Sequence, residues 1–139
     1  MAAPNRPAQP SAEYHSGMAF EHNLSIRVMR KHADGVTVEF AVRADFLNSN
    51  GVVHGGVIAS VADEAAWHAM NHVYKGERPA TTTELKVNYL RPIAGNKMRA
   101  RAYSLRAGKT LFVSRVDLFD AEKRLSAVGL VTYMLLGSK

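Results

Sequence analysis

Hydrophobic and polar positions alternate along most of this chain, and the alternation gives way to a longer period in only one stretch. From Leu24 to Arg30 apolar residues recur at every second position, and Ala33-Asp34-Gly35 supplies a turn. Over 36–43, Val36, Val38, Phe40 and Val42 point one way while Thr37, Glu39, Ala41 and Arg43 point the other. That pattern predicts a half-buried antiparallel strand. Four more strands are expected near 80–90, 96–107, 110–119 and 124–136. Pro79, Pro92-Ile93-Ala94-Gly95, Gly108 and Asp120-Ala121-Glu122-Lys123 separate them.

Residues 44–55 lose periodicity and carry Asn48, Asn50, Gly51 and Gly55, so they read as a loop. From 57 to 74 the period is helical, without proline or interior glycine. Two strands, one long helix and four strands make an α+β chain, in which one central helix is wrapped by a six-stranded antiparallel sheet. Residues 1–10, with three prolines, are expected to be a flexible arm, leaving 11–139 as one domain. Ser11 is a candidate cap for a short helix reaching about Glu21, with Tyr14, Met18 and Phe20 facing inward.

Angular position on the long helix singles out one side chain. With Val57 as origin and about 100° per residue, Val61, Ala65, Ile58 and Ala69 form an apolar face. Ser60, Glu64, His68 and Asn71 form a polar stripe. Asp63 lies outside that stripe, near 240°, among Ala59, Ala66, Met70 and Trp67. An ionised carboxylate on an apolar flank is costly unless it is hydrogen-bonded or used. The segment Gly51-Val-Val-His54-Gly55-Gly56 leads straight into the helix, whose first N–H groups lack partners within the helix. Such an end can polarise a carbonyl oxygen and hold the charge of a tetrahedral intermediate.

Composition narrows the chemistry. The 139 residues contain no cysteine, which excludes disulfides, thiolate-bound metal and thiol nucleophiles. The N-terminal stretch has no apolar core of signal-peptide length, and no apolar run reaches the roughly 18 residues of a membrane span. The reading is a cytoplasmic protein that does not enter the membrane. A net charge of +6 and a pI near 9.8 favour an acidic partner. The basic residues are dispersed and not interleaved with aromatics, which argues against nucleic acid and leaves a phosphorylated small molecule.

The run Asn48-x-x-Gly51-x-x-His54-Gly55-Gly56, followed after six residues by Asp63, resembles the hotdog-fold acyl-coenzyme A thioesterases of the phenylacetate-degradation (PaaI) type. The resemblance continues through Thr81-Thr-Thr-Glu-Leu-Lys-Val-Asn-Tyr-Leu-Arg-Pro92 and Gly108-Lys109-Thr110, and spans about residues 35–136. It implies a hotdog fold and hydrolysis of acyl-CoA thioesters, and the expected apolar pocket lining suits a medium-chain or aryl acyl group. Asp63 matches the helix carboxylate that serves as nucleophile or general base, and Gly55 the N–H that polarises the thioester carbonyl. Asn48 matches the side chain that orients water or thioester, His54 a loop organiser, and Thr82 a hydroxyl near the attacking water. The resemblance further implies a homodimer or a homotetramer built as a dimer of dimers, with each site shared between subunits. Coenzyme A enters as part of the substrate and no separate cofactor is implied. Gly56, Arg91 and Lys109 are the candidates for its binding. The pocket lining is expected from Trp67, Met70, Phe46 and Leu47.

Other chemistries fit less well. No G-x-S-x-G elbow accompanies the six histidines, so a serine triad lacks its nucleophile. His68 and His72 are four residues apart on the helix, but no third zinc ligand is evident and no metal site is predicted. A hotdog enoyl-CoA hydratase or dehydratase would need a catalytic histidine in a different setting. A non-catalytic acyl-CoA-binding module would dispense with the carboxylate at position 63.

Overall fold

A computed structural model of the protein describes residues 19–137. Its elements are a four-residue helix α1 (Phe20–Asn23), strands β1 (Arg27–His32) and β2 (Gly35–Ala41), and a 3-10 turn (Ala44–Phe46). The long helix α2 (Gly55–Val73) and strands β3 (Ala80–Tyr89), β4 (Lys97–Ala107), β5 (Leu111–Phe119) and β6 (Leu125–Leu135) complete it. All six strands join one antiparallel sheet in the order β1-β2-β4-β5-β6-β3, and α2 lies against its inner face.

The expected α+β architecture is the observed one. The N-terminal helix expected from Ser11 falls mostly outside the described residues, as do Tyr14 and Met18. Its end, α1, leaves Phe20 exposed at 62%, contrary to the inward position expected of it. Four residues are too few to bury a continuous apolar face.

Helix α2 begins two residues before the periodic pattern suggests, because His54 caps it. The His54 Nδ1 accepts a hydrogen bond from the Gly56 N–H at 2.9 Å, so the two glycines are wound into the first turn. At the other end Lys75 adopts a left-handed conformation (φ 60°), and the Gly76 N–H closes onto the Asn71 carbonyl at 2.9 Å. Ala62, Ala65, Ala66 and Ala69 are completely buried, which lets the helix backbone approach the sheet closely. The Ala62 Cβ lies beside Gly129 of β6, where an added Cβ would sit 3.5 Å away. Phe40, Phe112, Met98, Leu118 and Met70 fill the remaining core. Met70 is therefore packing and not pocket lining. Phe46 likewise packs on Phe40, with ring centroids 5.2 Å apart.

The outer face of the sheet accounts for much of the positive charge. Arg27, Lys97 and Arg99 surround Glu39, Arg101 pairs with Asp34, and Arg115 pairs with Asp117. The Glu39 pairs cross between strands, Arg115–Asp117 lies along β5 and Arg101 reaches the β1–β2 turn; with one partner of each exposed to solvent, such pairs are each worth little on their own.

Candidate active site

Asp63 sits in the third turn of α2, half-buried, at the wall of a cavity of about 320 Å³. Glu21, Glu64, Trp67, Thr82 and Tyr133 share that wall. Two hydroxyls converge on the carboxylate. The Thr82 hydroxyl donates to Asp63 Oδ1 at 3.0 Å. The Tyr133 hydroxyl lies 2.8 Å from the same Oδ1 and 2.6 Å from the Asp63 main-chain oxygen. No described group donates to Oδ2.

The sheet register creates this convergence. Thr82 of β3 and Tyr133 of β6 are direct cross-strand partners, and a register shift follows at once between Thr82 and Glu84. Partners at one register position project to the same face, and a bulge beside them can re-aim a side chain. Burial and the Asp63 charge raise the Tyr133 phenol further above its ordinary range, so it stays protonated and serves as a donor.

Glu64 departs from its expected place on a solvated stripe. It lines the cavity beside Asp63, and no hydrogen bond or ion pair engages it among the described residues. Burial foremost, then the charges of Glu21 and Asp63, pushes its carboxyl up to about 7. Two adjacent carboxyls thus meet different surroundings, one held by hydroxyl donors and one left unpaired.

The loop preceding α2 forms a second constellation. Asn48 Oδ1 accepts from the Asn50 and Val52 N–H groups at 2.9 and 3.3 Å, closing the loop on itself. Gly51, at φ 78°, takes the left-handed conformation this turn requires. The Gly55 N–H finds no acceptor among the described residues, while its carbonyl accepts from the Tyr89 hydroxyl at 2.6 Å. The expected residues therefore fall into two groups, Asp63 with Thr82 and Asn48 with His54, Gly55 and Gly56. Eight residues of helix separate Gly55 from Asp63, about 12 Å along the axis. A single chain does not bring the two groups together.

Arg91 and Lys109 are exposed, and neither pairs with a carboxylate among the described residues. Arg91 bonds the β6 strand at Ser126, whereas Thr110, next to Lys109, bonds it at Leu135. Nine residues of strand put them roughly 30 Å apart in one chain. His72 is committed through Nε2 to the His32 carbonyl at 2.7 Å, and His68 stands edge-on to Trp67. Among the described residues no three His, Cys, Asp or Glu side chains gather as metal ligands, and no helix is long and apolar enough to cross a membrane.

Tyr133 and Glu64 escaped the reading of the residues. A signal for Tyr133 was present, since it falls on the inward phase of β6 with Ala127, Gly129, Val131 and Leu135. A phenol in a row of apolar side chains has a partner to find.

Known proteins resemble this chain in sequence and in fold. The family model described as Thioesterase superfamily matches residues 50–127. Acyl-coenzyme A thioesterase 13 of Pongo abelii is 30% identical over 79% of this chain and 80% of its own. The medium/long-chain acyl-CoA thioesterase YigI of Escherichia coli is 29% identical over 88% of this chain and 87% of its own. The phenylacetic acid degradation protein PaaI of Thermus thermophilus, solved as a variant, superposes with a TM-score of 0.73 at 29% identity, covering 84% of this chain and 98% of that one. The chain belongs to the thioesterase superfamily and is a thioester hydrolase with the hotdog fold of the PaaI type.

Proposed function

We propose that this protein hydrolyses acyl-coenzyme A thioesters carrying a medium-chain or aryl acyl group, giving the free acid and coenzyme A. The observation that carries the reading is Asp63, a carboxylate oriented by two hydroxyls at the wall of a cavity. The names of two relatives, acyl-coenzyme A thioesterase 13 and the medium/long-chain acyl-CoA thioesterase YigI, support the substrate class.

In this mechanism the Gly55 N–H, backed by the helix N-terminus, polarises the thioester carbonyl. Asp63 then follows one of two routes. It attacks the carbonyl carbon, expelling the coenzyme A thiolate and leaving an anhydride that water cleaves. Alternatively it takes a proton from water as the water attacks, and the tetrahedral intermediate expels the same thiolate. A single turnover in labelled water separates the two by whether label enters Asp63. The Asn48 amide N–H₂ positions water or thioester, Thr82 gives its proton to Asp63 and keeps its oxygen to accept from water, and His54 and Gly56 keep the helix start open toward the carbonyl.

The reacting carbon must lie within contact distance of both Asp63 and a Gly55 N–H, and 12 Å of helix rules out using both from one chain. We therefore assign each site to two subunits, Asp63 from one and the 48–56 loop from its partner. Support comes from β3, whose outer edge is unpaired among the described residues and whose Leu85 and Tyr89, with the following Leu90, are exposed. Leu111, Leu130 and Met134 on the neighbouring strands are exposed as well, which suits a pairing of dimers into a tetramer. Pairing would also bring Arg91 of one subunit and Lys109 of the other to the phosphates of coenzyme A. Lacking cysteine, the chain needs no oxidising compartment, which suits a cytoplasmic setting.

The test is thiol release from a panel of acyl-CoAs by wild type, Asp63→Ala and Asp63→Asn. Both variants should lose turnover while keeping the oligomer and the melting temperature. Retention of most activity by either would remove Asp63 from the chemistry.

A further inference from the structure

We propose that Tyr133 is a positioning residue for Asp63: with Thr82 it ties down Oδ1 and leaves Oδ2 as the oxygen that meets thioester or water. The inference rests on the reading of Asp63 as the reacting carboxylate and adds which atom reacts and what aims it.

Three observations carry it. First, a single hydroxyl reaches two atoms of one residue, the Asp63 main-chain oxygen at 2.6 Å and Oδ1 at 2.8 Å. A buried phenol needs only one acceptor, and the main-chain oxygen alone would satisfy it. Contact with Oδ1 as well fixes the side chain relative to its own backbone, which selects a rotamer. Second, Thr82 reaches that same oxygen at 3.0 Å from the neighbouring strand. Two hydroxyls on Oδ1, with the single Tyr133 proton shared between Oδ1 and the main-chain oxygen, and none among the described residues on Oδ2 leave the carboxylate asymmetric. Third, the support is rigid where the substrate side is open. Tyr133 is only 5% exposed and stands on β6, an interior strand held between β5 and β3, whereas Asp63 and Thr82 are more open to solvent at the cavity wall. Reacting groups held by locked neighbours lose less orientation on the way to the transition state.

The experiment compares kcat and KM of Tyr133→Phe and Thr82→Val with wild type on one acyl-CoA, with Asp63→Asn as control. Phenylalanine keeps the ring in the core and removes only the hydroxyl. Loss of a hydrogen bond to a charged group predicts kcat lower by about 10- to 100-fold in each variant. KM should stay within about threefold, because the change touches the reacting group and not uniform substrate binding. Wild-type kcat in folded Tyr133→Phe would overturn the proposal, as would a loss explained wholly by a smaller folded fraction. If Tyr133→Phe fails to fold, Thr82→Val, altered at an exposed position, still decides: full activity there removes the tethering of Oδ1. The control separates the two levels of inference. Turnover by Asp63→Asn would sink the functional reading itself, while an inactive Asp63→Asn beside a fully active Tyr133→Phe would sink only the role of Tyr133.

Discussion

The Tyr89 hydroxyl donates to the Gly55 carbonyl at 2.6 Å, so the end of β3 grips the first turn of the central helix. The same strand reaches Asp63 through Thr82 near its beginning. One edge strand therefore fixes both the helix start and the helix carboxylate. The Tyr89 ring also covers Gly55, where an added Cβ would meet it at 3.4 Å. Tyr89→Phe keeps the cover and removes the tether. We expect turnover to fall about tenfold, the scale of one well-placed hydrogen bond, with a small drop in melting temperature. Steady-state kinetics beside a thermal melt tests this, and unchanged kcat would show that the helix start needs no tether.

Asn48 allows its two duties to be separated. Its Oδ1 closes the loop, and its amide N–H₂ is the group left to face substrate. Asn48→Ala loses both and should lower turnover by about 10- to 100-fold, less completely than the Asp63 variants. Asn48→Asp keeps the acceptor and loses the donor. If Asn48→Asp turns over like wild type, the amide has no part in the reaction and only the loop matters.

Glu64 predicts a pH dependence of stability with a definite sign. Its carboxyl is raised from the ordinary 4.5 to about 7, so between these values the folded chain holds a proton that the unfolded chain has lost. Stability contributed by this group therefore falls as pH rises through that window. Glu64→Gln removes the titration. The variant should melt with wild type near about pH 4 and a few degrees above it near about pH 8. Equal melting at both would show that Glu64 is better solvated than its place in the cavity implies.

Close approach of helix and sheet gives a prediction that links packing to activity. Ala62 is fully buried against Gly129, one residue from Asp63. Ala62→Leu should cost about 1–3 kcal/mol by forcing the helix away from β6. Because Tyr133 lies on the same strand, kcat should fall as well. A destabilised but fully active variant would mean that the grip on Asp63 survives such a shift.

The proposed shared site predicts an obligatory association. Sedimentation should show a dimer or tetramer at micromolar concentration, and dilution to monomer should extinguish thiol release. An active monomer would refute the division of the site between subunits.

Much of this architecture is legible along the chain because strand and helix periods differ and burial enforces them. Val36, Val38 and Phe40 alternate because one face of β2 is buried, and the alanines of α2 recur because that helix lies close on a sheet. Asp63 stands out for the same reason, as a charge at an apolar angle. Periodicity gives each residue a face but no partner. That Thr82 and Tyr133 stand opposite each other depends on the register of β3 with β6, across about fifty intervening residues, and on a bulge at that point. That Glu64 borders the cavity together with Glu21 of α1 likewise depends on the packing of distant elements. Side-chain type and local period are properties of the chain itself, whereas the packing of distant residues, and with it the raised carboxyl of Glu64 and the aim of Asp63, exists only once the sheet has closed around the helix.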